Sequence, residues 1–190
     1  MVLGKIPVLT LAQLPKRFVC ALLAFFMMSS YAQTHPYGAV LSLPIWSKEP
    51  THVGGFQFML NYHPCSLIWN HWSLYFDGGF SRFTADSSYH STLNIYSAAP
   101  VLRYTLNRYA WFKPYLELSI GLSYLNHTRF EDRKLGIHFA FQDRVGVGAL
   151  LGCAERFSLG LHAVHYSNAR LSGHNSGITI PVVLDMGYSF

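Results

Sequence analysis

From residue 37 onward, apolar and polar residues alternate with a period of two. Residues 115–124 put Leu116, Leu118, Ile120, Leu122 and Tyr124 on one face and Glu117, Ser119, Gly121 and Ser123 on the other. That period is the signature of a β-strand with one apolar face. Residues 72–81 repeat it, with Trp72, Leu74, Phe76 and Phe80 against Ser73, Asp77, Gly79 and Ser81. Residues 55–61 set Phe56, Phe58 and Leu60 against Gly55, Gln57 and Asn61, and residues 37–45 set Tyr37, Leu41, Leu43 and Ile45 against Gly38 and Ser42. Four further segments, 92–106, 139–151, 156–169 and 178–190, alternate less cleanly. The first of these changes phase around Pro100, which predicts a bulge there.

About eight strands are therefore expected in one domain. Soluble sandwiches alternate too, but here the polar parity is small and sometimes charged (Asp77, Arg103, Glu117, Arg144, Asp185) while the other parity is Leu, Ile, Phe, Tyr and Trp. A polar, filled lumen and a lipid-facing exterior fit that division. The last strand carries Val182, Leu184, Met186, Tyr188 and Phe190 on one parity. An alternating final strand with a terminal aromatic resembles the ending of bacterial outer-membrane barrels. The fold class expected is all-β, an eight-stranded antiparallel transmembrane β-barrel. Long loops near 46–51, 84–91, 126–137 and 170–177 fall at one end, and short turns near 63–71, 107–113 and 152–156 at the other.

Composition agrees with this picture. Hydrophobic residues make up 51% of the 190, aromatics 16% and charged residues 12%, with a mean hydropathy of +0.19. No apolar run is long enough to cross a bilayer as a helix. Before the strands, Lys5, Lys16 and Arg17 precede an apolar core, Phe18 to Met28, and a small-residue ending at Ala32. This reads as a cleaved signal peptide over 1–32, with the barrel over 33–190. Removing three leader cations brings the formal charge of +5 to about +2, too little for a nucleic-acid surface. Cys65 and Cys153 fall at the same end of the barrel, and whether they pair is left open. The ten histidines show no metal-ligand spacing, so no metal and no cofactor is expected. Trp46, Trp69, Trp72 and Trp111 sit at strand ends, where an interfacial girdle belongs.

The chemistry concentrates on the seventh strand. Its parity Phe157, Leu159, Leu161 should face lipid, and the same parity continues to Ala163, His165 and Ser167. Residues two apart on a strand share a face, with Cα atoms about 7 Å apart. A Ser–His pair is the minimal activated nucleophile, whereas unpaired polar groups against lipid have no stabilising purpose. Arg129, Arg133 and Lys134 crowd one long loop, where they either meet substrate phosphates or are simply solvated beside Glu131 and Asp132.

His165-Tyr166-Ser167-Asn168-Ala169, followed by Asn175-Ser176-Gly177, resembles the signature of the PagL family of lipid A deacylases. The stretch from Phe141 to Gly148 is similar to that family as well. The resemblance implies an outer-membrane ester hydrolase that removes the 3-linked hydroxyacyl chain of lipid A. It implies Ser167 as nucleophile, His165 as general base, and Asn168 and Asn175 as oxyanion donors. Its partners would be lipopolysaccharide and the outer-membrane bilayer, with a homodimer left open. The family's acidic residue falls two positions after the N-x-G glycine, and here that position is Thr179. A hydroxyl orients an imidazole but does not neutralise an imidazolium. Asp143, on the outward parity of the neighbouring strand, is the candidate substitute; Asp185, on the inward parity, fits an interior ion pair. A non-catalytic structural or lipid-binding barrel is the alternative.

Overall fold

The computed structural model describes residues 35–50, 52–86, 90–106 and 111–190. The segment read as a signal peptide lies outside the described residues. Eight long strands follow one another: β1 (Tyr37–Trp46), β2 (Gly54–Tyr62), β3 (Trp72–Thr84), β4 (Thr92–Thr105), β5 (Phe112–Leu125), β6 (Phe139–Leu151), β7 (Phe157–Ser167) and β8 (Ile178–Ser189). Each pairs antiparallel with its sequence neighbour, and β1 pairs with β8 from Gly38↔Ser189 to Trp46↔Val182, so the sheet closes on itself. Closure leaves no open edge, and every backbone ladder is satisfied within the wall. A two-residue strand, Ile68–Trp69, extends β3, and a small hairpin, Arg129–Phe130 with Arg133–Lys134, stands in the loop between β5 and β6.

Period two decides which side chains face out. On β5, Leu116, Leu118, Ile120, Leu122 and Tyr124 are all exposed, while Glu117, Ser119 and Ser123 are buried. Phe56, Phe58 and Leu60 on β2, and Leu159 and Leu161 on β7, join the same outer band. Trp46, Trp72 and Trp111 are exposed at strand ends. Inside the barrel the polar parity pairs off. Arg103 meets Glu117 at 2.6 Å, Arg144 meets Asp77, and His162 Nδ1 lies 2.7 Å from Asp185, whose other oxygen accepts from Ser42. Burial makes such pairing obligatory, because a lone interior charge is costly. Asp185 thus takes the interior role its parity suggests.

One sequence expectation about the strands changes. There is no bulge at Pro100: β4 keeps one register with β3 from Thr92↔Thr84 to Trp72↔Tyr104 and one register with β5 on either side of Pro100. The apparent phase change has another cause. The inward residues of β4 are themselves largely apolar: Leu93, Ile95, Ala99 and Val101 are buried, and at the loop end Leu93 and Ile95 join Phe83, Leu125, Phe130, Leu135, Val164, Ile178 and Ile180 in plugging the lumen. Pro100 points outward, where its missing N–H removes one ladder bond without shifting the pairing. The irregularities that do occur lie on β8, opposite His162/Val164 and opposite Pro44/Trp46, around Pro181.

At the turn end, Cys65 and Cys153 are free, exposed thiols that line one cavity of about 740 Å³. His63 stacks on Tyr75 there with ring centroids 4.2 Å apart. Burial, helped by the nearby Arg103 guanidinium, lowers its pKa to about 4. No group of three or more His, Cys, Asp or Glu among the described residues could hold a metal ion.

Candidate functional site

Strand β7 runs toward the loop end and carries the two residues that break its greasy face. His165 and Ser167 continue the outward parity of Leu159 and Leu161, while His162, Val164 and Tyr166 point into the barrel and are buried. Both are half-exposed at the top of the wall. The fold therefore places an imidazole and a hydroxyl on one outer surface, above the lipid-facing band.

The neighbours of His165 are set by register. On one side it lies opposite Thr179 of β8; on the other it lies opposite Asp143 of β6. Directly opposed residues in an antiparallel pair share a face with Cβ atoms about 5 Å apart. Thr179 uses that proximity: its Oγ1 lies 2.9 Å from His165 Nδ1. With Nδ1 engaged by the threonine, Nε2 is the ring nitrogen left without a partner among the described residues. Asp143 is exposed and makes no hydrogen bond or ion pair among the described residues. The row Asp143, His165, Thr179 thus brings one carboxylate beside the imidazole and one hydroxyl onto it. The Ser167 hydroxyl likewise has no partner among the described residues.

The loop after Ser167 is fixed by Asn168, and here the structure corrects an expectation. Asn168 is 2% exposed. Its Nδ2 lies 2.7 Å from the Leu135 carbonyl, 2.8 Å from Ser172 Oγ and 2.8 Å from the His174 carbonyl. Its Oδ1 accepts the Arg170 N–H at 2.9 Å. An amide has two N–H donors, and both are spent inside the loop, so the Asn168 side chain is not free to meet an oxyanion. Its backbone N–H instead donates to Asn175 Oδ1 at 2.9 Å. That bond turns the Asn175 amide so that its oxygen is used and its NH2 group is left over. Ala169 and Arg170 take left-handed backbone angles (φ 51° and 64°), which makes the turn after the strand tight.

Gly177 closes the site from above. Its φ is +62°, and a Cβ there would lie 3.1 Å from His165 Cε1. Glycine takes that conformation without strain and spares the ring this tight contact. The glycine of the N-x-G pattern thus stands where a side chain would crowd the histidine of the H-x-S pattern, twelve positions earlier in sequence.

Sequence reasoning missed Glu49. It lies opposite Thr179 in an isolated antiparallel bridge beyond the end of β1, and no periodicity marks it. Arg133 is also placed differently from either expectation. Its Nε donates to the Gly177 carbonyl at 2.9 Å, and its Nη2 donates to the Ser176 carbonyl and lies 3.1 Å from Glu49 Oε2.

Comparison with known proteins bears on this arrangement. The model of a family described as lipid A 3-O-deacylase (PagL) matches residues 54–188. A protein named lipid A deacylase PagL from Pseudomonas aeruginosa is 44% identical over 66 residues, 35% of this chain and 37% of that protein. One of the same name from Bordetella bronchiseptica is 37% identical over 95 residues, 50% of this chain and 49% of that protein. The matched stretches thus span at most about half of either relative. A crystal structure of the outer membrane enzyme PagL superposes with a TM-score of 0.64 and 26% identity, over 81% of this chain and 99% of that one. Neisserial surface protein A shares the fold at 12% identity, with a TM-score of 0.53 over 81% and 96% of the two chains.

Proposed function

The chain belongs to the lipid A 3-O-deacylase (PagL) family, and from that membership we propose that it is an outer-membrane hydrolase cleaving the 3-linked hydroxyacyl ester of lipid A at Ser167 on the outer barrel wall. The observation that carries the reading is the outward pair His165 and Ser167 at the loop end, with Nδ1 of the histidine already held by Thr179. An exterior site suits a substrate that lies in the surrounding leaflet. The short-turn end and both termini of the barrel-forming chain then face the periplasm, and the long loops face outside.

The chemistry follows from the atoms available. The Ser167 Oγ attacks the ester carbonyl carbon while His165 Nε2 takes the hydroxyl proton. Negative charge develops on the carbonyl oxygen, and the spare NH2 group of Asn175 is the side-chain donor assigned to it. Preorganised donors of this kind supply a large part of catalysis in acyl transfer. As the tetrahedral intermediate collapses, the sugar 3-oxygen leaves with the proton returned from His165. Water, deprotonated by the same imidazole, then releases the fatty acid from Ser167. While the ring is protonated, Thr179 holds its orientation and the Asp143 carboxylate opposes its charge from the neighbouring strand. Two groups thereby divide the task that one carboxylate performs in a triad.

That division predicts comparable effects from either side. Thr179→Val and Asp143→Asn are each expected to lower kcat by about tenfold to a hundredfold, roughly 1.4 to 2.7 kcal/mol of barrier. Steady-state kinetics on the inserted protein would check this; an unchanged kcat in Asp143→Asn would remove that residue from the mechanism.

The function itself is tested by mass spectrometry of lipid A from cells that express the chain. The expected result is a new species lighter by one 3-linked hydroxyacyl chain. An unaltered lipid A profile with well-inserted protein would reject the assignment. It would favour the second reading, a lipid-binding barrel without catalysis, which the threonine in place of an acid supports.

A further inference from the structure

Resting on the Ser167–His165 reading above, we infer that Arg133 and Glu49 form an ionic brace that fixes the backbone on which the His165 ring leans, and so are positioning residues for the base.

Two neighbours set the room around the ring: the Thr179 hydroxyl on Nδ1, and Gly177, where a Cβ would lie 3.1 Å from Cε1. Gly177 lies in the loop, and Thr179, the second residue of β8, pairs with β7 on one edge and leaves its other edge to the Glu49 bridge. Both are anchored by loops from elsewhere. Thr179 exchanges backbone bonds with Glu49: its N–H donates to the Glu49 carbonyl at 2.8 Å, and its carbonyl accepts from the N–H groups of Glu49 and Lys48 at 3.2 and 3.3 Å. Gly177 and Ser176 offer their carbonyls to the Arg133 guanidinium, and the Ser176 N–H donates to the Lys134 carbonyl at 3.0 Å. The Glu49 carboxylate then closes the circuit on Arg133 at 3.1 Å. One guanidinium therefore ties the β1–β2, β5–β6 and β7–β8 loops together around the histidine.

The chemistry of arginine fits this task. Its planar fork presents several donors in fixed directions, which a lysine ammonium does not reproduce. Nε serves Gly177, and Nη2 serves Ser176 and Glu49, so most of the fork is already occupied. That leaves the Nη1 group alone for a phosphate of the substrate, the role that its place in a basic loop suggests from sequence. The Arg133 side chain is 21% exposed, so its bonds are partly shielded from water. The site is sensitive to such a brace because the room beside the ring at Gly177 is less than a methyl group needs for ordinary contact. A displacement of about 1 Å at a reacting group costs on the order of a hundredfold in rate.

The test uses the full-length protein inserted in lipid, with folding read from heat-modifiable mobility on gels. Two substrates are compared: phosphorylated lipid A and an uncharged lipophilic ester. Arg133→Gln is expected to lower kcat about tenfold on both, with KM changed by less than about twofold, as for a lost near-attack geometry. Arg133→Lys should fail to restore kcat, Glu49→Gln should lower it in the same way, and the inverted pair Glu49→Arg with Arg133→Glu should not exceed the single variants in activity, since the carbonyl bonds stay lost. Unchanged kcat in folded Arg133→Gln overturns the brace, as does a rise in KM confined to the phosphorylated substrate, which would make Arg133 a phosphate ligand. If Arg133→Gln does not fold, Glu49→Gln decides, with unchanged kcat again overturning the proposal. Ser167→Ala run alongside separates the two levels: activity surviving in that variant rejects the Ser–His reading itself, whereas its loss together with full kcat in Arg133→Gln rejects only the brace.

Discussion

Ser167→Ala is expected to reduce deacylation by about a thousandfold or more, the scale seen when a hydrolase loses its nucleophile. The structure gives a reason for so complete a loss. Ser167 is the hydroxyl that shares the outer face with His165 at its own end of β7, and the next residue, Asn168, is committed to the loop through both its amide hydrogens and its oxygen. No neighbouring side chain on that strand can take over the attack. His165→Ala should fall to a similar level, because without Nε2 the serine keeps its proton. The double variant should be no worse than either single one, since nucleophile and base act as a unit. Kinetics on purified, inserted variants would show this, and a double variant markedly slower than both singles would mean that the two residues contribute separately.

The second large effect concerns the lumen. Glu117→Ala is expected to destabilise the barrel by about 3 to 5 kcal/mol, the range for leaving one member of a buried ion pair uncompensated. Glu117 Oε1 accepts from Arg103 Nε at 2.6 Å and from the Tyr75 hydroxyl at 2.7 Å. Its removal leaves a largely buried guanidinium without its counter-charge and the buried Tyr75 hydroxyl without its acceptor, although Arg103 Nη2 still donates to that hydroxyl. Arg103 also lies over the Tyr75 and Tyr115 rings, 4.8 and 4.4 Å from their centroids, so it cannot swing out to solvent without breaking those contacts. Replacing both charges, Arg103→Leu with Glu117→Leu, should recover most of the loss, because an apolar pair leaves no uncompensated charge. Urea unfolding followed by tryptophan fluorescence would measure both variants. A single variant as stable as wild type would show that water in the lumen solvates Arg103 well enough to replace the carboxylate.

Much of this fold was legible in the alternation, because a wall one strand thick forces each residue to face either lipid or lumen. β2, β3 and β5 read cleanly for that reason. Alternation misleads where the lumen itself turns apolar, as at Leu93, Ile95, Ala99 and Val101, and the bulge expected at Pro100 is the result. The outward placement of His165, Ser167 and Asp143 was also legible, since parity alone carries it along β6 and β7. What parity does not carry is contact between loops. The Glu49↔Thr179 bridge depends on how the β1–β2 loop folds back beyond its strand. The threefold use of Arg133 depends on the hairpin at 129–134 standing over the β7–β8 loop. Asn168 shows the same limit: its place in the motif suggests a catalytic amide, yet its side chain is buried by loop carbonyls that lie far away in sequence or across a turn.

The most direct test of the central claim is labelling with a lipophilic fluorophosphonate, which reacts with a serine only when a base activates it. With the protein inserted in lipid, wild type is expected to acquire one covalent adduct at Ser167, and Ser167→Ala and His165→Ala none. Labelling that persists in Ser167→Ala, or wild type that resists the probe while still deacylating lipid A, would contradict a Ser167–His165 nucleophile on the outer wall.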